Sequence, residues 1–387
     1  MAGPAWLQAR RAAAAARFAE ASLPDASEEV WRYSRIGDLD LDRFSPSPDA
    51  LDVALEVPSS WTEAGATVVA AGDLDETPTA LGAVAGEGPD VFAALTDAFA
   101  ARPLVVTVPR GVHLDEPLVL GNRLAGADGA AFPRLVVDVA EGASATILER
   151  TTSGDDAALS VPLTELRVAR GGRLGFVAVQ ELGPKAWQIG SLVADVAQEA
   201  NLEVSLVALG GEYARVRTDC TMSGRGANGD LYAAYFGDGD QTLDFRTFQH
   251  HDAPDTTSNL LFKGAVGGRS RSVYTGLIRV DKAARGTNAF QTNRNIKLSD
   301  DAWAESVPNL EIETNDVRCS HASTVGPVDP EQRFYLESRG VPPTVADRLI
   351  VAGFFDEVVR QIPLADVADE VSGRIAAKLE GVTGGAS

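Results

Sequence analysis

Between residues 103 and 325 the chain is a succession of short runs in which apolar and polar positions alternate. Leu104–Val108, Leu135–Val139, Ala145–Leu148, Leu163–Val168, Leu174–Val179 and Leu202–Val207 each read as a strand with one buried face. Small-residue turns separate them, and the turns repeat: Glu141-Gly-Ala-Ser-Ala, Arg170-Gly-Gly-Arg-Leu, Gln198-Glu-Ala-Asn-Leu and Arg225-Gly-Ala-Asn-Gly. Their pivots fall at 142, 171, 199 and 226, spaced 29, 28 and 27 residues apart. A drifting period of that size, each unit holding a few short strands, predicts a strand solenoid whose coils bury their inward side chains against one another. A β-sandwich with similar turn spacing is the alternative.

The flanks have another rhythm. Residues 5–21 predict a helix with Trp6, Leu7, Ala13 and Phe18 on one broad face. Ser27, Glu28 and Glu29 open a short turn, and Ser45-Pro-Ser-Pro48 reads as a linker. Residues 49 to about 100 mix short strands (Val53–Val57, Ala66–Ala70) with a helical run near Val91–Ala101. Beyond 330 the apolar period becomes helical. Thr344 and Asp347 form a capping-box-like start to a helix whose apolar positions are Val345, Leu349, Ala352, Phe355, Val359 and Ile362. Pro363 breaks it. Leu364, Val367, Val371, Ile375 and Leu379 form a second stripe, with acids early and Lys378 late, and Gly384 and Gly385 should fray.

Composition narrows the partners. With 387 residues there is chain enough for two or three structural units. The 34 basic and 55 acidic residues give −21, spread along the chain, which repels phosphate backbones and anionic membranes; neither nucleic acid nor membrane is expected as a partner. No apolar run reaches the roughly 18 residues a membrane span needs, and Arg10, Arg11, Arg17 and Glu20 interrupt any signal-peptide core. Cys220 and Cys319 make no disulfide framework and suit a reducing compartment, so a cytoplasmic location is expected.

Candidate chemistry is sparse. Gly224-Arg-Gly-Ala-Asn-Gly229 matches the dinucleotide fingerprint, but no helix follows, and it reads as a solenoid turn. His250 and His251 are neighbours on a strand and face opposite sides, so a hydrogen-bonding role at a coil corner is expected of one of them. Cys220 reads as core packing. Asp238/Asp240 or Glu311/Glu313 would be the carboxylates of a β-helix polysaccharide-active enzyme, a competing class that the 6% aromatic content disfavours. The stretch Pro308–Gly326 holds more. Leu310, Ile312 and Val317 alternate with polar residues across a short turn, and Cys319 and His321, two apart, share one side of the second strand. A thiolate beside an imidazole is half a site for iron, copper or zinc. The same pair equally suits a buried cysteine beside a hydrogen-bonded histidine.

An ordered series of motifs then becomes specific. His250–Gly264, Ser270–Gly276, Gln291-Thr-Asn-Arg-Asn, Pro308-Asn-Leu-Glu-Ile, Asp316-Val-Arg-Cys-Ser-His321, Thr324-Val-Gly326 and Phe334–Gly340 together resemble the SufB/SufD family of iron–sulfur cluster assembly scaffolds, most like its SufD branch. The likeness is dense over 250–362 and weak before, although Glu29-Val-Trp-Arg-Tyr33 is similar to the family's N-terminal entry. SufB has Glu-His-Glu where this chain has Cys-Ser-His, and about Asn293 stands where SufB carries a cluster-site cysteine. Ala322-Ser323 departs from the usual Gly-Ala. The resemblance implies a mainly β chain: a right-handed parallel β-helix core (101–330) between an N-terminal α/mixed region (1–100) and a C-terminal α-helical domain (331–387). It implies a non-catalytic subunit that pairs with a SufB-like chain near 308–326 and docks a SufC-like ATPase through the C-terminal helices. A transient iron–sulfur cluster would sit at the shared seam, held by His321 with Cys319 beside it. A SufB-like homodimer, and a flavin in the complex, stay open.

Overall fold

A computed structural model of the chain describes residues 3–384. Two long sheets run side by side through a parallel β-solenoid of about eight coils. One sheet carries, in spatial order, the strands Thr67–Ala70, Leu104–Val108, Arg134–Val139, Leu163–Val168, Ala186–Val196, Tyr213–Met222, Thr242–His251, Arg271–Val280 and Trp303–Ile312. The other carries Leu51–Glu56, Leu118–Leu124, Ser144–Ser153, Arg173–Glu181, Asn201–Ala208, Asn228–Gly237, Thr257–Val266, Thr287–Lys297 and Val317–Pro327. The chain alternates between them, so each coil lays one strand on each sheet. The solenoid predicted by the turn spacing is therefore present, and the sandwich is not.

The repeat works through the corners. Gly111, Gly142, Gly171, Glu199, Gly226, Asp255 and Gly286 all have φ between 56° and 76°. Each donates its N–H to a carbonyl one coil on, from Gly111 to Glu141 (3.0 Å) and Gly142 to Arg170 (2.9 Å) through Gly286 to Asp316 (2.7 Å). The left-handed corner is what the sequence repeat records, and glycine fills most of it because a Cβ is penalised there. Of the fingerprint-like glycines of 224–229, Gly226 is a corner of this ladder, and Gly229 already lies in the strand Asn228–Gly237.

Strand alternation sends every second side chain inward, where it stacks on its equivalents. On the first sheet one inward row reads Val108, Val139, Val168, Val196, Met222, His251, Val280, Ile312. Cys220 packs in the same interior, 3.7 Å from the Met222 sulfur, and burial pushes its thiol up to about 12, so it is an inert core residue.

Elements outside the rod are pinned to it. Helix α1 (Ala5–Glu20) buries Leu7, Arg11 and Ala14; Ala13, expected inward, is exposed, because the covered face runs through 7, 11 and 14. Helix α2 (Ser59–Glu63) drives Trp61 into one end of the core. Helix α3 (Val91–Phe99) is capped by Asp90, whose carboxylate accepts from the N–H groups of Phe92 and Ala93. Ser45–Pro48 is no free linker: Ser45 N–H donates to Asp128 O (2.9 Å), and Ser45–Pro46 pairs in parallel with Gly129–Ala130.

Helices α4 (Pro330–Ser338), α5 (Pro343–Val359) and α6 (Ala365–Gly384) follow the last strand. Val351, Phe355, Val358, Val359, Val367, Val371, Ile375 and Leu379 pack on the outward face of the second sheet, against Val177, Val207, Ala234, Phe236 and Ala265. Each such burial is worth about 1.5–3 kcal/mol. Arg150 pairs with Glu370 (2.7 Å), Lys378 with Asp238 (2.9 Å), and Lys263 with Glu357, fixing these helices along several coils. Two helical expectations need correction. The α5 N-cap is Pro342 with no side-chain cap, and Asp347 instead binds Arg333 (2.5 Å). Val345, Leu349 and Ala352 are exposed, because the covered face of α5 runs through Ala346, Val351, Phe355, Val358 and Val359 instead. Gly384 closes α6, and the fraying expected at Gly385 lies outside the described residues. Among the described residues no helix is long and apolar enough to cross a membrane.

Candidate functional site

The two ends of the solenoid differ. At the first, Leu51–Glu56 and Thr67–Ala70 add antiparallel to the sheets, and fully buried Trp61 plugs the interior, its Nε1–H donating to Glu116 O (2.9 Å). At the other, Trp303–Ile312 and Val317–Pro327 are edge strands, each paired on one side only. Most side chains of Val317–Pro327 are exposed.

His321 lies on that last strand. Along the second sheet one inward row reads Leu118, Ile147, Phe176, Val204, Leu231, Leu260, Gln291, His321. Six apolar coils give way to buried Gln291, and the imidazole then takes the place of a core residue with no coil above it. Cys319 stacks on buried Ala289 and is half-buried against Ile278 and Val280. Strand alternation puts it on the same side as His321, as the spacing predicted. Burial pushes the Cys319 thiol up, against a backbone hydrogen bond to Ala289 that acts the other way. The thiol stays protonated at neutral pH unless a bound metal displaces the proton.

The layer below is polar, which residue spacing did not reveal. Asn293 Nδ2 donates to Tyr235 Oη (2.9 Å), Tyr235 donates to Asn295 Oδ1 (2.9 Å), and Asn295 Nδ2 donates to Asn293 Oδ1 (2.9 Å). Asn293 is thus a buried member of a closed amide–phenol triangle. Tyr274 Oη and Thr247 Oγ1 lie 2.9 Å apart beside it. The signal available was Gln, Asn and Asn at the inward positions 291, 293 and 295 of a strand.

Other candidates resolve as structure. His251 is fully buried; its Nδ1 meets Thr256 Oγ1 (2.8 Å) at a coil corner and its Nε2 meets Ser258 Oγ (3.0 Å). Burial, with a smaller contribution from His250, holds its imidazole down at about 4, so it is neutral. His250 faces outward, as expected, towards Asp281 (3.1 Å). Asp238 is paired with Lys378, and Asp240 with Arg269 (2.7 Å).

Two buried ionic clusters were missed: Arg134 with Asp97 and Glu165, and a second around Asp244. Asp244 is bound by Arg215 (3.1 Å) and Arg246 (2.6 Å) and accepts from Tyr213 Oη (2.7 Å), all of them buried. Burial alone would raise the Asp244 carboxyl, but the two guanidiniums hold it below the usual range. Arg215 donates to Val30 O (3.0 Å) and stacks 3.8 Å over the Trp31 ring, while Arg246 donates to Arg32 O (2.7 Å). The cluster therefore fixes Glu29–Tyr33 to the rod. Its arginines gave no sequence signal because a charged residue on a strand reads as solvent-facing.

Residues 122–354 match the core domain described as "SUF system FeS cluster assembly, SufBD core domain". The chain belongs to the SufB/SufD family. It is 32% identical to an "iron-sulfur cluster assembly SufBD family protein" of Mycobacterium tuberculosis, over 92% of this chain and 90% of that one. It is 29% identical to the "iron-sulfur cluster assembly protein SufD" of Escherichia coli, over 93% and 90%. A SufBD family protein of Staphylococcus epidermidis is 25% identical over 76% and 63%. The SufB/SufD match spans most of the solenoid, the open end and the first turns of α5.

Proposed function

We propose that this chain is a non-catalytic, SufD-like scaffold subunit that pairs, through the open end of its solenoid, with a SufB-like chain. The nascent iron–sulfur cluster is cargo at that seam, with His321 as a ligand and Cys319 beside it. The observation that carries this reading is the row ending in His321: an imidazole in a core position, left uncovered at an end with two unpaired strand edges. An iron–sulfur cluster usually takes four protein ligands, so one imidazole and one thiol need a second chain to complete the set. A shared ligand set comes apart when the seam shifts, which suits delivery rather than storage. The SufD likeness of the relatives supports the same assignment.

In this reading the chain divides near 100 and 330, and the C-terminal segment docks a SufC-like ATPase in the cytoplasm. Support comes from apolar side chains that α4 and α5 leave in solvent: Phe334 (72% exposed), Tyr335, Val345 and Leu349 (52%). Closure of two ATPase subunits would pull on helices fastened along the rod and so reach the seam. The test is His321→Ala in the complex co-expressed with SufB- and SufC-like partners. The expected result is an intact complex by size exclusion with its cluster absorption lost under anaerobic conditions. A normal cluster yield refutes the assignment.

A further inference from the structure

His250, which faces away from His251, lies on the outer wall of the rod beside Asp252 and Asp281. Strand pairing places residue 251 beside 280 and 280 beside 312. Asp252 and Asp281 therefore leave their strands at the same level on consecutive coils, their N–H groups donating to Met222 O (3.2 Å) and His251 O (3.0 Å). His250 precedes Asp252 by two and points to the same outer side. Its Nε2 lies 3.1 Å from Asp281 Oδ1, and one donor atom from each of His250, Asp252 and Asp281 lies within 4.8 Å of the others. Ligand atoms sharing a divalent ion at bonds of about 2.0–2.2 Å sit about 3–4.4 Å apart, so small side-chain rotations close the set.

We propose that His250, Asp252 and Asp281 form a surface site for a first-row divalent transition metal, with water completing the coordination. One imidazole and two carboxylates select zinc, ferrous iron or cobalt over magnesium, which binds nitrogen poorly. Rigid coil stacking positions two of the ligands from the backbone, so little ordering is needed on binding. Arg279 shapes the site: its Nε donates to Asp281 Oδ1 (3.0 Å) and its Nη2 lies 3.6 Å from Glu313. The guanidinium orients the Asp281 carboxylate and, being cationic, keeps affinity below that of an unopposed triad, which makes the site exchangeable. The proposal does not depend on the cluster-assembly reading, since the donors are nitrogen and oxygen on the outer wall rather than Cys319 and His321 at the open end.

The test titrates Zn(II), followed by calorimetry, and Co(II), followed by absorption, into the purified full-length chain carrying Cys319→Ser and His321→Ala. One equivalent should bind, with a cobalt spectrum lacking thiolate charge transfer, and millimolar Mg(II) should not displace it. Adding His250→Ala or Asp281→Asn should weaken binding by more than the roughly 10- to 100-fold lost with an outer-shell partner, with unchanged circular dichroism. Selective shifts of the His250 ring resonances on Zn(II) addition give an independent readout if a variant misfolds. No binding to the doubly substituted chain, undiminished binding by both added variants, ring signals that do not move, or full displacement by Mg(II) would each overturn the site.

Discussion

The two ends of the solenoid solve the same problem in opposite ways. Any stack of coils exposes core at its termini, and repeat proteins need atypical capping units there. The first end has one: Trp61 fills the interior, and the added strand Leu51–Glu56 carries Asp52 and Glu56, charges that discourage further strand pairing. The last end has no lid among the described residues. There the inward side of the second sheet changes composition, from stacked Leu, Ile, Phe and Val to Gln291, Asn293, Asn295 and His321, while the first sheet's row ends apolar, in Val280 and Ile312. The difference separates a sealed end from one whose two strand edges stay unpaired among the described residues. An apolar row left open would be sticky, whereas one that ends in amides and a histidine is readily hydrated.

That contrast can be broken from either side. Trp61→Ala empties the plug of the closed end and should cost about 3–5 kcal/mol in denaturant unfolding; a loss below 1 kcal/mol would mean the end is not sealed by this ring. The next effect concerns an acid buried in the early coils. Glu149 points into the interior, bonded by Asn122 Nδ2 (2.8 Å), and burial pushes its carboxyl up to about 7. The native state then holds a proton that the unfolded chain releases above its ordinary value of 4.5. Stability should therefore fall as pH rises from about 4.5 to 7, by about 3 kcal/mol at most. Glu149→Gln should flatten that slope and be the more stable form at pH 8, with little difference at pH 4. Identical pH profiles would show that the carboxyl is hydrated. The smallest effect belongs to the open end: His321→Ala in the isolated chain should change stability by less than about 0.5 kcal/mol, because nothing packs over the imidazole. A larger loss would mean that the end is covered after all.

Much of this architecture was legible because its signals are local. Alternation gave the strands, and the pivots at 142, 171, 199 and 226 are the left-handed corners themselves. Cys319 and His321 needed only a two-residue spacing to share a side. What stayed hidden depends on who stacks on whom. That His321 completes a row begun at Leu118 emerges only from seven successive registers, and the same holds for Asp252 beside Asp281. Val345 and Leu349 have the period of a buried stripe, yet burial requires an opposing surface, and the face of α5 that meets one runs through Val351, Phe355, Val358 and Val359. Arg215 and Arg246 were unreadable for the converse reason: their burial depends on Asp244 and on backbone carbonyls from a segment some 200 residues earlier.

The corner ladder has a modular consequence. Its pivots are unevenly spaced, yet the rows inside stay in line, because extra residues are absorbed in the bends while each hydrogen-bonded rung is re-set by its own left-handed residue. A rod of this kind can gain or lose a whole rung and still present the same tip. Reach and tip chemistry are thus governed by separate residues: the bends and rungs set how far the histidine stands from the plugged base, and the final strand alone sets what stands there.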